Sequence, residues 1–407
     1  MFRDFHGYQN DAIEGVFARL AADTHPDKID LGIGVFRDES GQVPVMECVR
    51  RAEARLLEKK LPKSYLSPLG NADYCDDVER LALGDAHEVR RDGRVLSAQT
   101  PGAGSALRLA AELVTQLAPG ARVWASQPVW GHQLDFFTRA GMGVCRYRYY
   151  DVESALLDVD GMLEDLEKLR RDDILLLHGC CHNPTGADLE AGHWERIADI
   201  VNRTGAVPFV DIAYQGFGRG IDADVEGLQL LASQVPQLLL TVSSSKSFGI
   251  YRERAGLLSI VVPPDAKDAA SVRRKLRDTA RELYFMAPNH GAAIVHEILA
   301  DAELVALWRS ELDSVRQHVT SMRADLKATI EAENPGFDAG FLTRQYGMFS
   351  CLPVSAAEQL ALEREHHIYM LPHARVNVAA MNPKQSQVLA RAFGELRARR
   401  GAEQAIA

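Results

Sequence analysis

Short apolar runs alternate with segments of helical periodicity through the middle of the chain. Each run is bounded by polar, glycine or proline residues, which is typical of buried strands. The runs occupy residues 122–125, 174–177, 207–210, 238–242 and 257–262. Between them, segments such as 189–203 place apolar residues at a helical spacing. This alternation predicts an α/β fold in which a largely parallel sheet is covered by helices.

The last third of the chain carries longer helical patterns and then a mixed set of short elements. Residues 265–281 and 304–332 are expected to form long helices, the second rich in i,i+4 pairs of opposite charge. Short strands are predicted at 349–352, 369–371 and 376–378, followed by a helix at 384–399. These elements indicate a small α+β unit, which the long helix would tie to the sheet.

Composition narrows the class of protein. The chain has 407 residues, 46% hydrophobic and 25% charged, as in ordinary globular proteins, and its length predicts two lobes. The net charge is -10 with acidic and basic residues interspersed, so we expect no nucleic-acid partner. The N-terminus lacks an apolar signal core, and no apolar run reaches membrane-spanning length. We therefore expect a cytoplasmic protein with no membrane partner.

The cysteines give no sign of a metal site. The six residues, none of them in a CxxC spacing, are Cys48, Cys75, Cys145, Cys180, Cys181 and Cys351. This arrangement predicts neither a zinc site nor a disulfide framework. A nucleophilic thiol in the Cys180-Cys181 pair is conceivable, but buried core packing is the favoured interpretation.

A lysine follows the apolar run at 238–242. Ser243 precedes Lys246 by three residues, and Arg254 follows it by eight. A lysine in a partly desolvated setting can form a Schiff base with a carbonyl compound near neutral pH. A hydroxyl and a guanidinium nearby could bind the phosphate of pyridoxal phosphate. Taken alone, the segment also fits a surface loop with an incidental lysine.

Two further polar sets stand just after predicted strands. Asn183 lies in the turn His182-Asn-Pro-Thr-Gly186 after the run at 174–177, and Asp211 and Tyr214 follow the run at 207–210. Open α/β sheets bind ligands at the carboxyl ends of their strands. A carboxylate such as Asp211 could keep a pyridine nitrogen protonated, while Asn183 and Tyr214 could donate to the ring's phenolate oxygen.

A glycine-rich turn leads into a predicted helix at Thr100-Pro-Gly-Ala-Gly-Ser-Ala-Leu-Arg108. Backbone N–H groups at a helix N-terminus bind phosphate without special side chains. We expect Gly102, Ala103, Gly104 and Ser105 to contribute to such a site.

Taken together, these segments identify a resemblance to class I, fold-type I aminotransferases of the aspartate and aromatic amino acid branch. The resemblance covers nearly the whole chain. It is carried by Leu31-Gly-Ile-Gly-Val35, Ser64-Tyr65-Leu66, Trp130, His178-Gly-Cys-Cys-His-Asn-Pro-Thr-Gly186, Asp211-Ile-Ala-Tyr-Gln-Gly-Phe217, the Lys246 segment, Tyr346-Gly-Met-Phe-Ser350 and Arg375-Val-Asn-Val378.

The resemblance implies an architecture. We expect an N-terminal arm at 1–11, a large domain at 45–314 with a mostly parallel seven-stranded sheet, and a small α+β domain from 12–44 and 315–407. It also implies a homodimer with active sites at the interface, in which Tyr65 reaches the phosphate of the neighbouring subunit's cofactor.

The resemblance also implies a reaction and a set of roles. Pyridoxal 5'-phosphate would be bound to Lys246, which moves the proton of the substrate α-carbon in a ping-pong amino transfer between an amino acid and a 2-oxo acid. Trp130 would stack on the cofactor, and Arg375 would bind the substrate α-carboxylate. Arg281 would reach a dicarboxylate side chain across the dimer. The matching motifs add Gly34 and Phe349 to the substrate-binding residues.

Departures from the family pattern bear on specificity. The phosphate turn carries Ala103-Gly104-Ser105 where Gly-Thr-Gly or Gly-Ser-Gly is usual, so the hydroxyl is displaced. Phe285-Met286-Ala287 replaces Ser-Asn-Pro, and Val43 and Ser64 replace an aspartate-type Thr and Asn. These changes favour aromatic or large aliphatic substrates, with 2-oxoglutarate as the amino acceptor and aspartate as a second substrate.

Other functions remain open. An aspartate-specific transaminase, or a transaminase for an unusual amino acid in a specialised pathway, would use the same residues. A catalytically inactive binding protein on the same fold is disfavoured, because Lys246, Asp211 and Arg375 are all present.

Overall fold

The computed structural model describes residues 12–38 and 41–406, so the predicted arm at 1–11 lies outside the described residues. The strands are β1 (Ile29–Asp30), β2 (Val95–Thr100), β3 (Arg122–Gln127), β4 (Gly143–Arg148), β5 (Tyr150–Asp151), β6 (Leu156–Leu157), β7 (Ile174–His178), β8 (Val207–Ile212), β9 (Leu238–Ser243), β10 (Gly256–Val261), β11 (Phe349–Cys351), β12 (Ile368–Tyr369) and β13 (Arg375–Asn377).

The α-helices surround these strands. They are α1 (Ala12–Ala22), α2 (Glu47–Lys59), α3 (Ala72–Leu83), α4 (Glu88–Arg91), α5 (Ala103–Leu117), α6 (Gly131–Thr138), α7 (Val159–Leu166), α8 (Ala191–Thr204), α9 (Glu226–Gln234), α10 (Ser244–Ser247), α11 (Ala269–Tyr284), α12 (Asn289–Leu299), α13 (Ala302–Glu333), α14 (Phe341–Arg344), α15 (Ala356–His366) and α16 (Pro383–Ile406).

The central sheet has seven strands in the order β2-β10-β9-β8-β7-β3-β4. Strand β10 runs antiparallel to both of its neighbours, whereas every other neighbouring pair is parallel. The prediction of a mostly parallel seven-stranded sheet in an α/β fold is therefore confirmed. All five strands predicted from apolar runs are present, and the two edge strands, β2 and β4, are the ones that those runs missed.

Both faces of the sheet are buried, which explains the nearly continuous apolar runs. In β7, Leu175 and Leu177 belong to the apolar core on one face, while Ile174 and Leu176 belong to the core on the other. Helices α5, α6 and α11 contribute to the second core, and α3, α8 and α9 to the first. Helices therefore cover the sheet on both sides.

Helix α13 links the sheet to the short elements near the C-terminus. Near its start, Trp308 stacks on Phe248 at 4.6 Å and donates to the Ser247 carbonyl at 2.8 Å. Near its end, the buried Arg323 donates to backbone carbonyls that include that of Gly347. Strands β11 and β13 pair antiparallel there, and β1 pairs with β12. The division into domains at 45–314 and at 12–44 with 315–407 remains a prediction.

The carboxyl ends of β7, β8 and β9 lie side by side. His178 pairs with Asp211 across β7 and β8, and Ile212 pairs with Val242 across β8 and β9. This register brings the polar residues that follow the three strands to one edge of the sheet. In the described part of the chain, no helix is long and apolar enough to cross a membrane.

Candidate active site

A cavity of about 230 Å³ lies at this edge of the sheet. It brings together ten of the residues predicted from the sequence, namely Gly34, Ala103, Gly104, Trp130, Asn183, Asp211, Tyr214, Ser243, Lys246 and Arg254. A second cavity of about 240 Å³ adjoins it and shares Trp130 and Asn183 with it, and Arg375 lies in its wall. A larger open groove between α15 and α16 contains none of the predicted residues.

Lys246 lies in the short helix α10, directly after β9. Burial lowers the pKa of its ammonium group to about 8, against the opposing effect of Asp211. At pH 7 this pKa leaves roughly one amine in ten uncharged, against fewer than about one in a thousand for an ordinary lysine. The Nζ atom lies 5.1 Å from the centroid of the Tyr214 ring. Lys246 is therefore suited to act as a nucleophile and as a base.

Asp211 lies near the end of β8, and its two carboxylate oxygens differ in their hydrogen bonding. Burial raises the pKa of its carboxyl group to about 6, while Lys246 and Gln133 act in the opposite direction. Oδ2 accepts a hydrogen bond of 2.6 Å from Gln133 Nε2. Oδ1 is buried and has no hydrogen-bond partner among the described residues. A buried carboxylate oxygen without a hydrogen-bond donor destabilises the protein, so a ligand that donates a hydrogen bond to Oδ1 would be favoured.

Tyr214 and Asn183 flank the same cavity. Burial raises the pKa of the Tyr214 phenol above its usual range, so the hydroxyl stays protonated at neutral pH and can donate. The backbone N–H of Asn183 donates to His178 Nδ1 at 3.1 Å, and its Oδ1 accepts from Arg375. Arg375 thus holds the Asn183 side chain in place, and both Asn183 and Tyr214 line the cavity where a ligand's oxygen could be bound.

Arg375 is a buried cation, 5% exposed, in β13. Nη2 donates to the Gly32 carbonyl at 2.6 Å, and the guanidinium carbon lies 4.0 Å from the centroid of the Phe349 ring. Its Nε is buried without a hydrogen-bond partner, and no carboxylate of the described residues pairs with it within 4.0 Å. A buried guanidinium in this state favours an anionic ligand.

The helix start at the other end of the cavity forms an anion cradle. Gly102 caps α5 with φ +84°, and a Cβ at this position would lie 2.3 Å from Arg254 Nη2. Only glycine therefore lets the guanidinium approach the backbone of the turn. Ser243, Ala103 and Gly104 complete the wall. Backbone N–H groups, a hydroxyl and a guanidinium are the donors that a phosphate needs.

Three predicted residues are not brought to the cavity in this chain. Ser105 turns its hydroxyl toward the Pro101 carbonyl, at 3.3 Å, so the displaced hydroxyl does not line the site. Tyr65 is 84% exposed and its ring lies 5.7 Å from that of Phe285. Arg281 is exposed on α11, with Nη2 3.5 Å from an Asp278 oxygen. Their assigned roles remain predictions.

Several residues of the site were missed at the sequence level. Gln133 and His178 form a hydrogen-bonded pair behind Asp211, and Tyr251 lines the cavity with its hydroxyl accepting from the Phe36 N–H. Gln133 occupies a polar position on a short helix, which gives no local signal of a role. His178 ends a predicted strand, and its place within the motif was the one available hint.

The paired cysteines lie beside the cavity. Cys180 lines it, and both Cys180 and Cys181 are buried, as expected for core residues. Their sulfurs and the Asp224 carboxylate lie within 4.8 Å of one another. The Asp224 oxygens, however, accept from the N–H groups of Gly216, Gly218 and Arg219, so this carboxylate is already engaged.

Known proteins are similar to this chain in both sequence and fold. The chain matches the family "Aminotransferase class I and II" over residues 26–393. It is 40% identical over 396 residues to a tyrosine aminotransferase of Rhizobium meliloti (strain 1021), covering 97% of this chain and 100% of the relative. It is 37% identical to an aspartate aminotransferase of Escherichia coli, covering 97% and 99%.

The solved structure of one similar protein contains a cofactor. The aromatic-amino-acid aminotransferase from Burkholderia pseudomallei, covalently bound to pyridoxal phosphate, superposes with a TM-score of 0.92 at 38% identity, covering 97% of this chain and 99% of that chain. The chain described here belongs to the class I and II aminotransferase family, on the fold-type I architecture. It is a pyridoxal-phosphate-dependent transaminase.

The residues present fit this cofactor. The unpaired Oδ1 of Asp211 suits a pyridine N–H, the Lys246 amine suits the carbonyl carbon, and the cradle of Gly102 and Arg254 suits the phosphate. When bound, the protonated ring takes up the electron pair left on a substrate α-carbon.

Proposed function

We propose that this enzyme transfers the amino group between an aromatic L-amino acid and 2-oxoglutarate by a ping-pong mechanism, with aspartate as a second substrate. The proposal concerns the substrate and the residue roles, since the aminotransferase class follows from the family. Relatives named as tyrosine and aromatic-amino-acid aminotransferases, at 40% and 37% identity, support it.

The observation that carries the proposal is the position of Arg375 in the wall of a largely apolar cavity. Its apolar lining includes Ile13, Val129, Leu371 and Pro372, and its polar lining, besides Arg375, consists of His132, Asp135, Asn183 and His373. A substrate whose α-carboxylate binds Arg375 would have this apolar space beside it. An aromatic side chain gains free energy from such a space, whereas a second carboxylate would lose its hydration there.

The roles follow from chemistry at named atoms. Lys246 Nζ would take the proton from the substrate Cα and deliver it to the C4′ carbon of the cofactor, and it would carry a proton in the opposite direction during the second half-reaction. Asp211 Oδ1 would accept the hydrogen bond of the protonated ring nitrogen, and Tyr214 and Asn183 would donate to the ring oxygen.

Binding of the cofactor and substrate is assigned to the surrounding residues. Trp130 would cover one face of the ring. The phosphate would be held by Gly102, Ala103, Gly104, Ser243 and Arg254, and the role of Ser105 remains a sequence-based prediction. Gly34 and Phe349 frame Arg375 at the α-carboxylate, since a Cβ on Gly34 would lie 3.4 Å from Phe349 Cζ.

We also propose a homodimer in which Tyr65 and Arg281 act in the neighbouring site. Support comes from exposed apolar side chains concentrated in residues 43–65 and at Phe285, namely Val43, Val45, Leu57, Leu61, Tyr65 and Phe285. The Tyr65 ring, from the first of these segments, contacts the Phe285 ring. Clustered exposed apolar residues of this kind are typical of protein interfaces. A cytoplasmic location remains a prediction, which cell fractionation would test.

A second candidate is an enzyme whose best substrate is aspartate. It is favoured by relatives such as the Escherichia coli aspartate aminotransferase at 37% identity. Both candidates use the same catalytic residues and differ in the substrate side chain that is preferred.

The test is a comparison of kcat/KM for phenylalanine, tyrosine, tryptophan and aspartate, each with saturating 2-oxoglutarate. We expect the aromatic substrates to be favoured, and Arg281→Leu to impair aspartate and 2-oxoglutarate more than phenylalanine. A strong preference for aspartate over all three aromatic substrates would support the second candidate.

A further inference from the structure

Gln133 is a fully buried side chain that joins Asp211 to His178. It lies in α6, three residues after Trp130, and is 0% exposed. Its Nε2 donates to Asp211 Oδ2 at 2.6 Å, and its Oε1 lies 3.0 Å from Nε2 of His178. Gln133 therefore uses both ends of its amide within the site.

The position of the proton on the His178 ring determines the direction of the hydrogen bonds that link His178, Gln133 and Asp211. The backbone N–H of Asn183 donates to His178 Nδ1 at 3.1 Å, so that nitrogen carries no proton. The single proton of a neutral imidazole is then on Nε2, from which it is donated to Gln133 Oε1. With its oxygen held by His178, the amide of Gln133 must present its N–H to Asp211.

The two side chains behind Asp211, His178 and Gln133, are also uncharged. Burial lowers the pKa of the His178 ring to about 4, so the imidazole is uncharged at physiological pH. The charge of Lys246 also acts on Asp211 and lowers the pKa of its carboxyl group, against the effect of burial. Asp211 thus receives a hydrogen bond on Oδ2 without a compensating positive charge there, and it keeps its full negative charge for a group that meets Oδ1.

We propose that Gln133 and His178 are positioning residues that keep the Asp211 carboxylate ionised and turn Oδ1 toward the pyridine nitrogen of the cofactor. A hydrogen bond to the charged form favours that form over the protonated acid. Without it, the desolvated Asp211 binds protons more strongly and draws the shared proton away from the ring nitrogen. This inference rests on the cofactor dependence of the enzyme and is independent of which amino acid is its substrate.

The first test replaces Gln133 by the apolar Gln133→Leu. We expect the dissociation constant of pyridoxal phosphate to rise about 10-fold or more, because a charge-assisted hydrogen bond is lost. With ¹⁵N-labelled cofactor, the NMR shift of the ring nitrogen should move toward the value of unprotonated pyridine. The matched control is Gln345→Leu, since Gln345 is also buried and donates to Tyr150 Oη at 2.7 Å, away from the cavity. It should lower stability and leave both readouts unchanged.

The second test uses the isosteric Gln133→Glu, which guards against misfolding of the first variant. Burial and the Asp211 carboxylate raise the pKa of the introduced carboxyl group. At pH 6 its protonated form can donate to Asp211 Oδ2 in place of the amide, whereas at pH 9 it is ionised and repels Asp211. Compared with wild type at the same pH, cofactor affinity should be similar at pH 6 and about 10-fold weaker or more at pH 9. Lys246 and His178, the titratable neighbours of Asp211 and Gln133, are present in both enzymes.

His178→Phe completes the series. It frees the Gln133 amide to rotate, so it should shift the nitrogen resonance in the same direction as Gln133→Leu but less far. A folded Gln133→Leu enzyme with wild-type nitrogen shift and cofactor affinity would overturn the proposal, as would a pH-independent Gln133→Glu. If the variants show these shifts while the wild-type enzyme transfers no amino group from phenylalanine, the positioning role is supported and the proposed substrate is contradicted.

Discussion

Arg375 Nη1 donates a hydrogen bond of 3.0 Å to Asn183 Oδ1, joining residues that are 192 positions apart in the chain. The bond orients the guanidinium at the boundary between the cofactor cavity and the apolar cavity. A carboxylate bound by Arg375 would therefore be held next to the groups that act on the α-carbon. The first prediction follows from this geometry.

Arg375→Lys should raise KM for every amino acid substrate about 10- to 100-fold, because a single ammonium group cannot replace the planar fork of the guanidinium. Steady-state kinetics with phenylalanine and aspartate check this. The affinity for pyridoxal phosphate should change little. Equal KM values for the variant and wild type would show that the α-carboxylate binds elsewhere.

The rate at which the cofactor-free enzyme captures pyridoxal phosphate should rise with pH through about 8. The amine of Lys246 reacts only when uncharged, and its pKa is lowered to about 8 by burial, so the reactive fraction grows up to and beyond that pH. Stopped-flow absorbance measures the rate. In Asp211→Asn the profile should shift to lower pH, since Asp211 raises the pKa of Lys246. A midpoint near that of ordinary lysine would contradict the argument.

Gly102→Ala should weaken cofactor binding about 10-fold or more, because the added Cβ would displace the Arg254 guanidinium from the phosphate cradle. The matched control is Gly120→Ala. Gly120 has φ +88°, close to the +84° of Gly102, but a Cβ there meets nothing within 4 Å. Both variants should lose stability from backbone strain at positive φ, on the order of 1–3 kcal/mol, and only Gly102→Ala should lose the cofactor. Equal cofactor affinity in the two variants would contradict the steric account.

Leu57→Asp should dissociate the proposed dimer, because Leu57 in α2 is 80% exposed and belongs to the exposed apolar residues proposed to form the interface. Sedimentation velocity would show the monomer, and activity should fall since Tyr65 and Arg281 would no longer reach a neighbouring site. Leu156→Asp, at another exposed leucine, serves as the control. An active, dimeric Leu57→Asp enzyme would place the interface elsewhere.

The sequence identified the strands that are buried on both faces but not those at the edges of the sheet. Strand β4 reads Gly-Val-Cys-Arg-Tyr-Arg and exposes several of its residues, so it lacks a continuous apolar run. Strand β2 is buried, but it carries Ser97 and Gln99, which bond to Ser259 and to the Pro288 carbonyl. Partners this distant in sequence cannot be inferred from a local pattern.

The same reasoning explains which site residues were found. Asn183, Asp211 and Lys246 each follow a predicted strand, so topology alone groups them. Gln133 reaches Asp211 across 78 positions and stands on a short helix with no special pattern, so its role became visible only in three dimensions. The direction of the Ser105 hydroxyl depends on the turn itself, which the order of residues does not specify.

The most direct test of the account is a single turnover with phenylalanine in the absence of any 2-oxo acid. We predict that the absorbance band of the lysine-bound cofactor disappears, that one equivalent of phenylpyruvate forms per active site, and that added 2-oxoglutarate restores the band. If the band is lost only in Lys246→Ala, the cofactor is located at that residue whichever amino acid is the substrate. A band that responds to glutamate but stays unchanged with phenylalanine would contradict the proposed substrate.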